Sequence, residues 1–249
     1  MIDLGIEKVF RTFREHGVQC LLSVGQACIF YGAAEFSKDV DFVVLADSGN
    51  FERLEKAADA LAAETIAVPP FDIRHFDEGL AVHLRCTAPP CNDLRVDLMS
   101  RLRGVEAFPL LWERRTVIEF DDFAIDLLGV RDLIASKKTQ RAKDWPMIQR
   151  LVEVHFQERR DAPVAADIDL WLRELRTVEL LLETASRFAD VAGTLAAERP
   201  LLRLAIAGDE ALLRRALVDE IEAEKERDRL HWEPLKARLG ELRRAARQG

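Results

Sequence analysis

The stretch that decides the fold is Val24–Val44, VGQACIFYGAAEFSKDVDFVV. Its last six residues, Asp39–Val44, are β-branched and apolar enough to predict a buried strand. Alternate side chains of a strand lie on one face, so Asp39 and Asp41 are predicted to project together, about 7 Å apart along the backbone. Two such carboxylates repel each other unless a cation lies between them, and hard oxygen ligands favour Mg²⁺ or Mn²⁺. The alternative for an isolated Asp-x-Asp is a solvated strand start.

Length and composition are those of an ordinary globular protein. The 249 residues are 49% hydrophobic and 32% charged, with a net charge of −8. This acidic charge argues against a broad non-specific nucleic-acid surface, because such binding depends on many phosphate contacts. No apolar run approaches a membrane span, and the N-terminal pattern is that of an amphipathic helix rather than a signal peptide. We therefore expect a cytoplasmic protein with no membrane partner and with reduced cysteines.

Strand and helix patterns alternate over the first 128 residues, and helical patterns dominate from Asp144 onward. Strands are predicted at 20–24, 39–45, 66–68, 72–76, 80–86, 94–99, 116–120 and 123–128. Helices are predicted up to about Glu15, at 26–31, 51–64 and 130–139, and most extensively over Asp167–Phe188. We therefore predict an α+β fold with a small mixed sheet and flanking helices over residues 1–160, followed by a helical domain over residues 161–249.

A third carboxylate, Asp97, lies in the alternating segment Leu94–Met99, on the face opposite to Leu94, Val96 and Leu98. If this strand and the strand of Asp39 and Asp41 are neighbours, all three acids converge on one or two divalent cations. Phosphoryl-type transfer requires such an arrangement, because the protein mainly supplies metal, position and opposing charge. One of the acids can also accept a proton from an attacking hydroxyl.

Two further features fit a phosphate-bearing ligand. Gly25 ends a predicted strand and opens a helix, where the backbone can approach a triphosphate, although many α/β proteins have this junction for packing alone. Lys137, Lys138, Arg141 and Lys143 follow in a basic, predicted helical segment. These side chains could neutralise the phosphates of a nucleotide or form a solvated helix face.

The string VGQACIFYGAAEFSKDVDFVV resembles the signature of the nucleotidyltransferase superfamily with the polymerase-β-like fold: Gly followed by Gly or Ser, a spacer, and an Asp-x-Asp strand. Val96-Asp97-Leu98 is similar to the third-acid motif of that family. The segment Leu127–Leu151, LLGVRDLIASKKTQRAKDWPMIQRL, resembles the Lys…Arg-x-Lys-Asp segment of a bacterial subgroup. That subgroup includes the minimal nucleotidyltransferases and the transferase toxins of abortive-infection and toxin–antitoxin systems. The resemblance covers roughly residues 18–155.

This resemblance implies roles for particular residues. Asp39 and Asp41 would bind Mg²⁺ or Mn²⁺, and Asp97 would complete the metal site or activate the acceptor hydroxyl. The residues implied to contact the NTP or the acceptor are Gly25, Gln26, Ser37, Lys137, Arg141 and Lys143. The implied reaction is attack of an acceptor hydroxyl on the α-phosphorus of an NTP, with release of pyrophosphate. The acceptor would be a tRNA 3′ end or a side chain of a cognate partner protein, within a toxin–antitoxin or phage-defence system.

Two positions depart from the family pattern. Gln26 stands where the family commonly has Gly or Ser, and Glu35 stands where related proteins often carry Arg. An anion in place of a cation beside a triphosphate would weaken binding by about 1 kcal/mol or more. Two alternatives therefore stay open: a catalytically weak binding module of the same fold, and a small-molecule transferase of the antibiotic-modifying kind.

Overall fold

A computed structural model describes residues 3–248 and has a mixed α+β fold, which confirms the predicted class. The strands are β1 (Cys20–Ser23), β2 (Val40–Val44), β3 (Ala63–Thr65), β4 (Val82–Cys86), β5 (Leu94–Met99), β6 (Thr116–Glu119) and β7 (Ala124–Leu127). They form a seven-stranded sheet in the order β3-β4-β5-β2-β1-β7-β6. Strand β2 runs parallel to β5, and β1 runs parallel to β7, while the other neighbouring pairs are antiparallel.

Helices flank the sheet and make up most of the C-terminal half of the chain. They are α1 (Leu4–Glu15), α2 (Val24–Phe30), α3 (Ser48–Ala60), α4 (Ile73–Asp77), α5 (Phe108–Glu113), α6 (Val130–Ser136), α7 (Asp144–Arg159), α8 (Ala165–Glu174), α9 (Val178–Arg187), α10 (Ala189–Leu195), α11 (Leu202–Ala207) and α12 (Glu210–Ala246). Within residues 3–248, none of these helices combines the length and the apolar character that crossing a membrane requires.

The chain divides into two compact units. Unit one comprises residues 3–30, 34–136 and 230–248 and contains the whole sheet. Unit two comprises residues 31–33 and 137–229 and is helical. The division therefore falls after residue 136, whereas the sequence pattern predicts it after residue 160, and the last part of α12 belongs to unit one.

The position of α7 explains this difference. Its residue Phe156 packs against Trp171 of α8, with the ring centroids 4.8 Å apart. The indole Nε1 of Trp171 also donates a hydrogen bond to Nδ1 of His155, at 3.0 Å. These contacts between α7 and α8 make α7 part of the helical unit. Residues 160–163 therefore connect two helices of the same unit and do not separate two domains.

The most apolar strands, β1 and β2, lie in the interior of the sheet. Val40, Val43 and Val44 of β2 are fully buried, and so are Leu21 and Leu22 of β1. Helix α1 covers one face of the sheet, where Phe10 and Phe13 contact Phe42 with centroid distances of 5.8 and 5.0 Å. Asp3 caps this helix by accepting hydrogen bonds from the backbone N–H groups of Gly5 and Ile6. Phe42 therefore faces α1, and Asp41, its neighbour in β2, lies on the opposite face of the sheet.

Outside the basic segment 137–143, three predicted elements are wrong. The strand predicted at 72–76 is helix α4, because Asp72 accepts a hydrogen bond from the backbone N–H of Arg74 and caps a helical turn. The strand predicted at 66–68 lies earlier, as β3, because α3 ends at Ala60 and a positive φ at Ala62 turns the chain. The predicted helical stretch 167–188 is divided into α8 and α9, because Leu175 is extended, with ψ of 131°.

Candidate active site

The two strands that carry the predicted acids are neighbours. In the parallel pair β2–β5, Asp41 lies directly opposite Asp97, and Val40 lies opposite Val96. Asp39 comes one residue before β2 and shares the face of Asp41 by alternation. Asp97 is 7% exposed, and the other two aspartates are half-buried. The expected adjacency of the acidic strands is confirmed.

Asp97 has two side-chain partners, Arg95 and His83, that are absent from the predicted site. Arg95 holds its carboxylate with a two-pronged contact, Nε to Oδ1 at 2.8 Å and Nη2 to Oδ2 at 2.9 Å. His83 of β4, directly opposite Asp97 in the antiparallel β4–β5 pair, has Nδ1 at 2.8 Å from Oδ1. Burial alone would raise the pKa of Asp97, but the hydrogen bonds from His83 and Arg95 outweigh burial and hold this pKa below its ordinary value. Asp97 is therefore a charged and poorly basic carboxylate.

Arg95 interacts with more than one of the acids. Its hydrogen bonds with Asp97 are the main cause of a raised pKa of the guanidinium, and the charges of Asp39 and Asp41 raise it further. The sequence did contain a signal for Arg95, because a residue two positions from Asp97 in a strand must lie on the same face. His83 carried no such signal, since its position depends on the register of β4 against β5.

The turn at Gly25–Gln26 is tied to the loop that leads into β2. A Cβ atom at Gly25 would overlap the Oγ of Ser37, so a glycine is required for this close approach. The side-chain amide of Gln26 donates to the carbonyl of Ser37 at 3.1 Å, and Ser37 Oγ donates to the carbonyl of Asp39 at 3.1 Å. Ser23 Oγ donates to the carbonyl of Asp41 at 3.0 Å. The glycine turn and the acidic strand therefore form one hydrogen-bonded arrangement.

A cavity of about 870 Å³ lies beside this arrangement in unit one. Its lining includes Gln26, Glu35, Ser37, Asp39, Arg85 and Arg95. Phe36, 73% exposed, also borders the cavity. Pockets for nucleotide-sized ligands generally have volumes of about 300–1,000 Å³, so this cavity is large enough for one. The cavity lining carries three cationic side chains and four carboxylates: Lys38, Arg85 and Arg95, and Asp3, Glu35, Asp39 and Asp93.

The predicted basic helix is wrong. Helix α6 ends at Ser136 and α7 begins at Asp144, so the basic residues between them occupy a connecting segment of unit two. Lys137 is 3% exposed, with Nζ at 3.8 Å from Oδ1 of Asp144, and Arg141 donates from Nε to Oδ2 of Asp144 at 2.7 Å. Lys143 is exposed at the N-cap position of α7. Asp39, Asp41, Asp97, Gly25, Gln26 and Ser37 therefore all belong to unit one, whereas Lys137, Arg141 and Lys143 belong to unit two.

The donor types in unit one fit a hard divalent cation, because Mg²⁺ and Mn²⁺ prefer carboxylate oxygens. Among the residues that the structure describes, however, His, Cys, Asp and Glu side chains do not form a preassembled group of three around one metal position. Both oxygens of Asp97 are hydrogen-bonded to Arg95 or His83. A cation that joined Asp97 to Asp39 and Asp41 would therefore compete with Arg95 for the Asp97 carboxylate.

Comparison with known proteins adds no family assignment. The chain matches no protein-family model, and the search of curated proteins found no match.

Proposed function

We propose that the protein is a Mg²⁺-dependent nucleotidyltransferase that moves NMP from an NTP to an acceptor hydroxyl. The observation that carries the proposal is the register of Asp41 opposite Asp97 on adjacent parallel strands, with Asp39 on the same face beside a glycine turn. The motif resemblance supports the same reaction. The acceptor hydroxyl oxygen would bond to the α-phosphorus and lose its proton to water, the bond from that phosphorus to the bridging oxygen would break, and pyrophosphate would leave.

The residues would divide the work as follows. Asp39 and Asp41 would hold the metal, which supplies charge neutralisation on the triphosphate when it is bound. Gly25 and Ser37, which lie in close contact with each other, would contact phosphate oxygens. Asp97, whose pKa is lowered, is a weak proton acceptor, so a positioning role for it fits better than a role as general base.

Label transfer tests this proposal directly. Wild-type protein is incubated with each α-labelled NTP, Mg²⁺ and either total RNA or soluble protein as acceptor, and Asp39→Asn and Asp41→Asn variants are compared. We expect transfer by the wild type and a loss on the order of 100-fold in each variant, because oriented charge stabilisation contributes about this much to catalysis. Asp122→Asn is the matched control, because Asp122 is an exposed aspartate of unit one that pairs with Arg11. Transfer that is indifferent to Asp39 and Asp41, or no transfer at all, would overturn the proposal.

A second candidate function is binding of a metal–nucleotide complex without transfer. The pairing of both Asp97 oxygens and the presence of Glu35 on the cavity wall favour it. Calorimetry separates the two candidates: binding of Mg²⁺–ATP that requires Asp39, together with no label transfer to RNA, protein or small hydroxylated acceptors, supports the binding module.

A further inference from the structure

We propose that Arg95 is an exchangeable counter-ion of the candidate site. In the protein without nucleotide it holds Asp97, and when a divalent cation and an NTP bind it exchanges this carboxylate for a phosphate group. This inference rests on the proposed function and assigns a positioning role to Arg95, which none of the resembling motifs includes.

The first support is the way in which Arg95 occupies Asp97. The two-pronged contact, at 2.8 and 2.9 Å, uses one lone pair on each carboxylate oxygen. A guanidinium in this position also repels an incoming divalent cation at short range. Metal entry to Asp97 and retention of Arg95 by Asp97 therefore oppose each other.

The second support is that Arg95 is able to leave. Its side chain is 40% exposed and borders the cavity of unit one. Its polar contacts that reach within 3.1 Å are made to the side chains of Asp97 and His83. After Arg95 has moved, Asp97 keeps His83 at 2.8 Å, so this buried carboxylate is not left without a hydrogen-bonding group.

The third support is a destination for the guanidinium. Arg85 of β4 lies directly opposite Arg95 of β5, and both residues border the same cavity. Like charges directly opposite each other in a sheet are destabilising, although Glu64 of β3, opposite Arg85 on its other side, offsets part of this effect. A phosphate group beside the two guanidinium groups would relieve the repulsion, and its oxygens match the planar fork of arginine.

Two binary affinities test the exchange. Mn²⁺ alone is titrated into wild type, Arg95→Gln, Arg95→Lys and Arg85→Gln by calorimetry, and ATP is titrated into the same proteins in EDTA. In R95Q we expect tighter binding of Mn²⁺ and weaker binding of ATP, each by about tenfold, which is typical of coupled sites. R95K, which keeps the charge but loses the two-pronged contact, should change both affinities in the same directions by less.

Arg85→Gln is the matched control. It removes a neighbouring positive charge without removing a partner of Asp97, so it should weaken ATP binding while raising Mn²⁺ affinity clearly less than R95Q does. An equal gain of Mn²⁺ affinity in R85Q and R95Q would mean a general field effect and would overturn the exchange.

The remaining outcomes separate this inference from the proposed function. Unchanged or weaker Mn²⁺ binding in a folded R95Q or R95K protein, with wild-type binding of Mn²⁺–ATP that still needs Asp39, overturns the exchange alone. Absence of Mn²⁺ binding in the wild type and in all variants overturns the exchange and the metal role of the proposed function together. Circular dichroism establishes whether each variant is folded. If R95Q does not fold, the Mn²⁺ and ATP affinities of R95K provide the test.

Discussion

Two arginine–carboxylate pairs, one in each unit, have the same hydrogen-bond lengths and different surroundings. In unit one, Arg95 contacts Asp97 at 2.8 and 2.9 Å. In unit two, Arg199 contacts Glu220 at 2.8 and 2.9 Å, through the same two nitrogen atoms. The distances alone would suggest that the two pairs are equivalent.

Exposure and backbone contacts distinguish them. The side chain of Arg199 is 7% exposed, against 40% for Arg95. Arg199 also donates to the carbonyls of Leu172 and Leu175 at 2.8 and 2.9 Å, and Glu220 has a second cation, Arg176, at 3.3 Å. Removal of Arg199 would leave buried carbonyl and carboxylate oxygens without their hydrogen-bond donor, whereas Arg95 is held by side chains at the edge of a cavity. The comparison indicates that anchoring to the backbone, rather than bond length, separates a structural ion pair from an exchangeable one.

The largest effect is expected at Arg199. In Arg199→Gln, the free energy of unfolding of unit two should fall by about 3 kcal/mol, because a buried charge loses its best partner. Urea unfolding followed by circular dichroism, with amide hydrogen exchange of α8–α12, measures this loss. Arg173→Gln is the matched control: Arg173 pairs with Asp169 and Glu198 at a more exposed site, so its loss should be below about 1 kcal/mol. Equal losses in the two variants would contradict the comparison.

A smaller, pH-dependent effect is expected at Glu220. Burial would raise the pKa of Glu220, but the hydrogen bonds from Arg199 and the nearby positive charges outweigh burial and lower it from the ordinary 4.5. The pair therefore stabilises unit two fully above pH 4.5 and loses this contribution as the pH falls through the pKa of the folded state. The urea midpoint of wild type should decrease over this acid range more steeply than that of Glu220→Gln. Parallel pH profiles for the two proteins would count against the role assigned to this carboxylate.

A smaller loss of stability than at Arg199 is expected at Arg95. In Arg95→Gln, the free energy of unfolding of unit one should fall by only about 1 kcal/mol. The side chain of Arg95 is partly exposed, and Asp97 retains its contact with His83. Thermal and urea unfolding, compared with R199Q under the same conditions, measure the difference. A loss as large as that in R199Q would make Arg95 a structural anchor and would remove the basis for its exchange.

The alternation of side chains was enough to predict the acidic strands and their shared face. Asp39 and Asp41 follow from a period of two, and Asp97 follows in the same way from Leu94, Val96 and Leu98. The neighbouring positions of β2 and β5 then bring Asp41 and Asp97 together. The roles of these residues in metal and nucleotide binding stay predictions.

Long-range contacts account for what the sequence did not reveal. The segment 137–143 has a helical pattern, yet it is held as a loop by partners distant in sequence or on the next helix: Gln140 N–H donates to Asp228, and Trp145 Nε1 donates to the carbonyl of Thr139. The position of His83 opposite Asp97 likewise depends on the loop between β4 and β5, where Asn92 and Asp93 have positive φ. A single sequence contains no local signal for such partners.

The junction between β1 and α2 has a consequence for the order of assembly. Val24 has φ of +51°, a left-handed conformation that a β-branched residue adopts only when its surroundings enforce it. The neighbouring strands and the Ser37 loop therefore shape this corner, against the intrinsic preference of the chain. A peptide spanning residues 20–44 would relax out of this conformation, so the corner forms only in the finished sheet and is not a motif that the segment brings to folding.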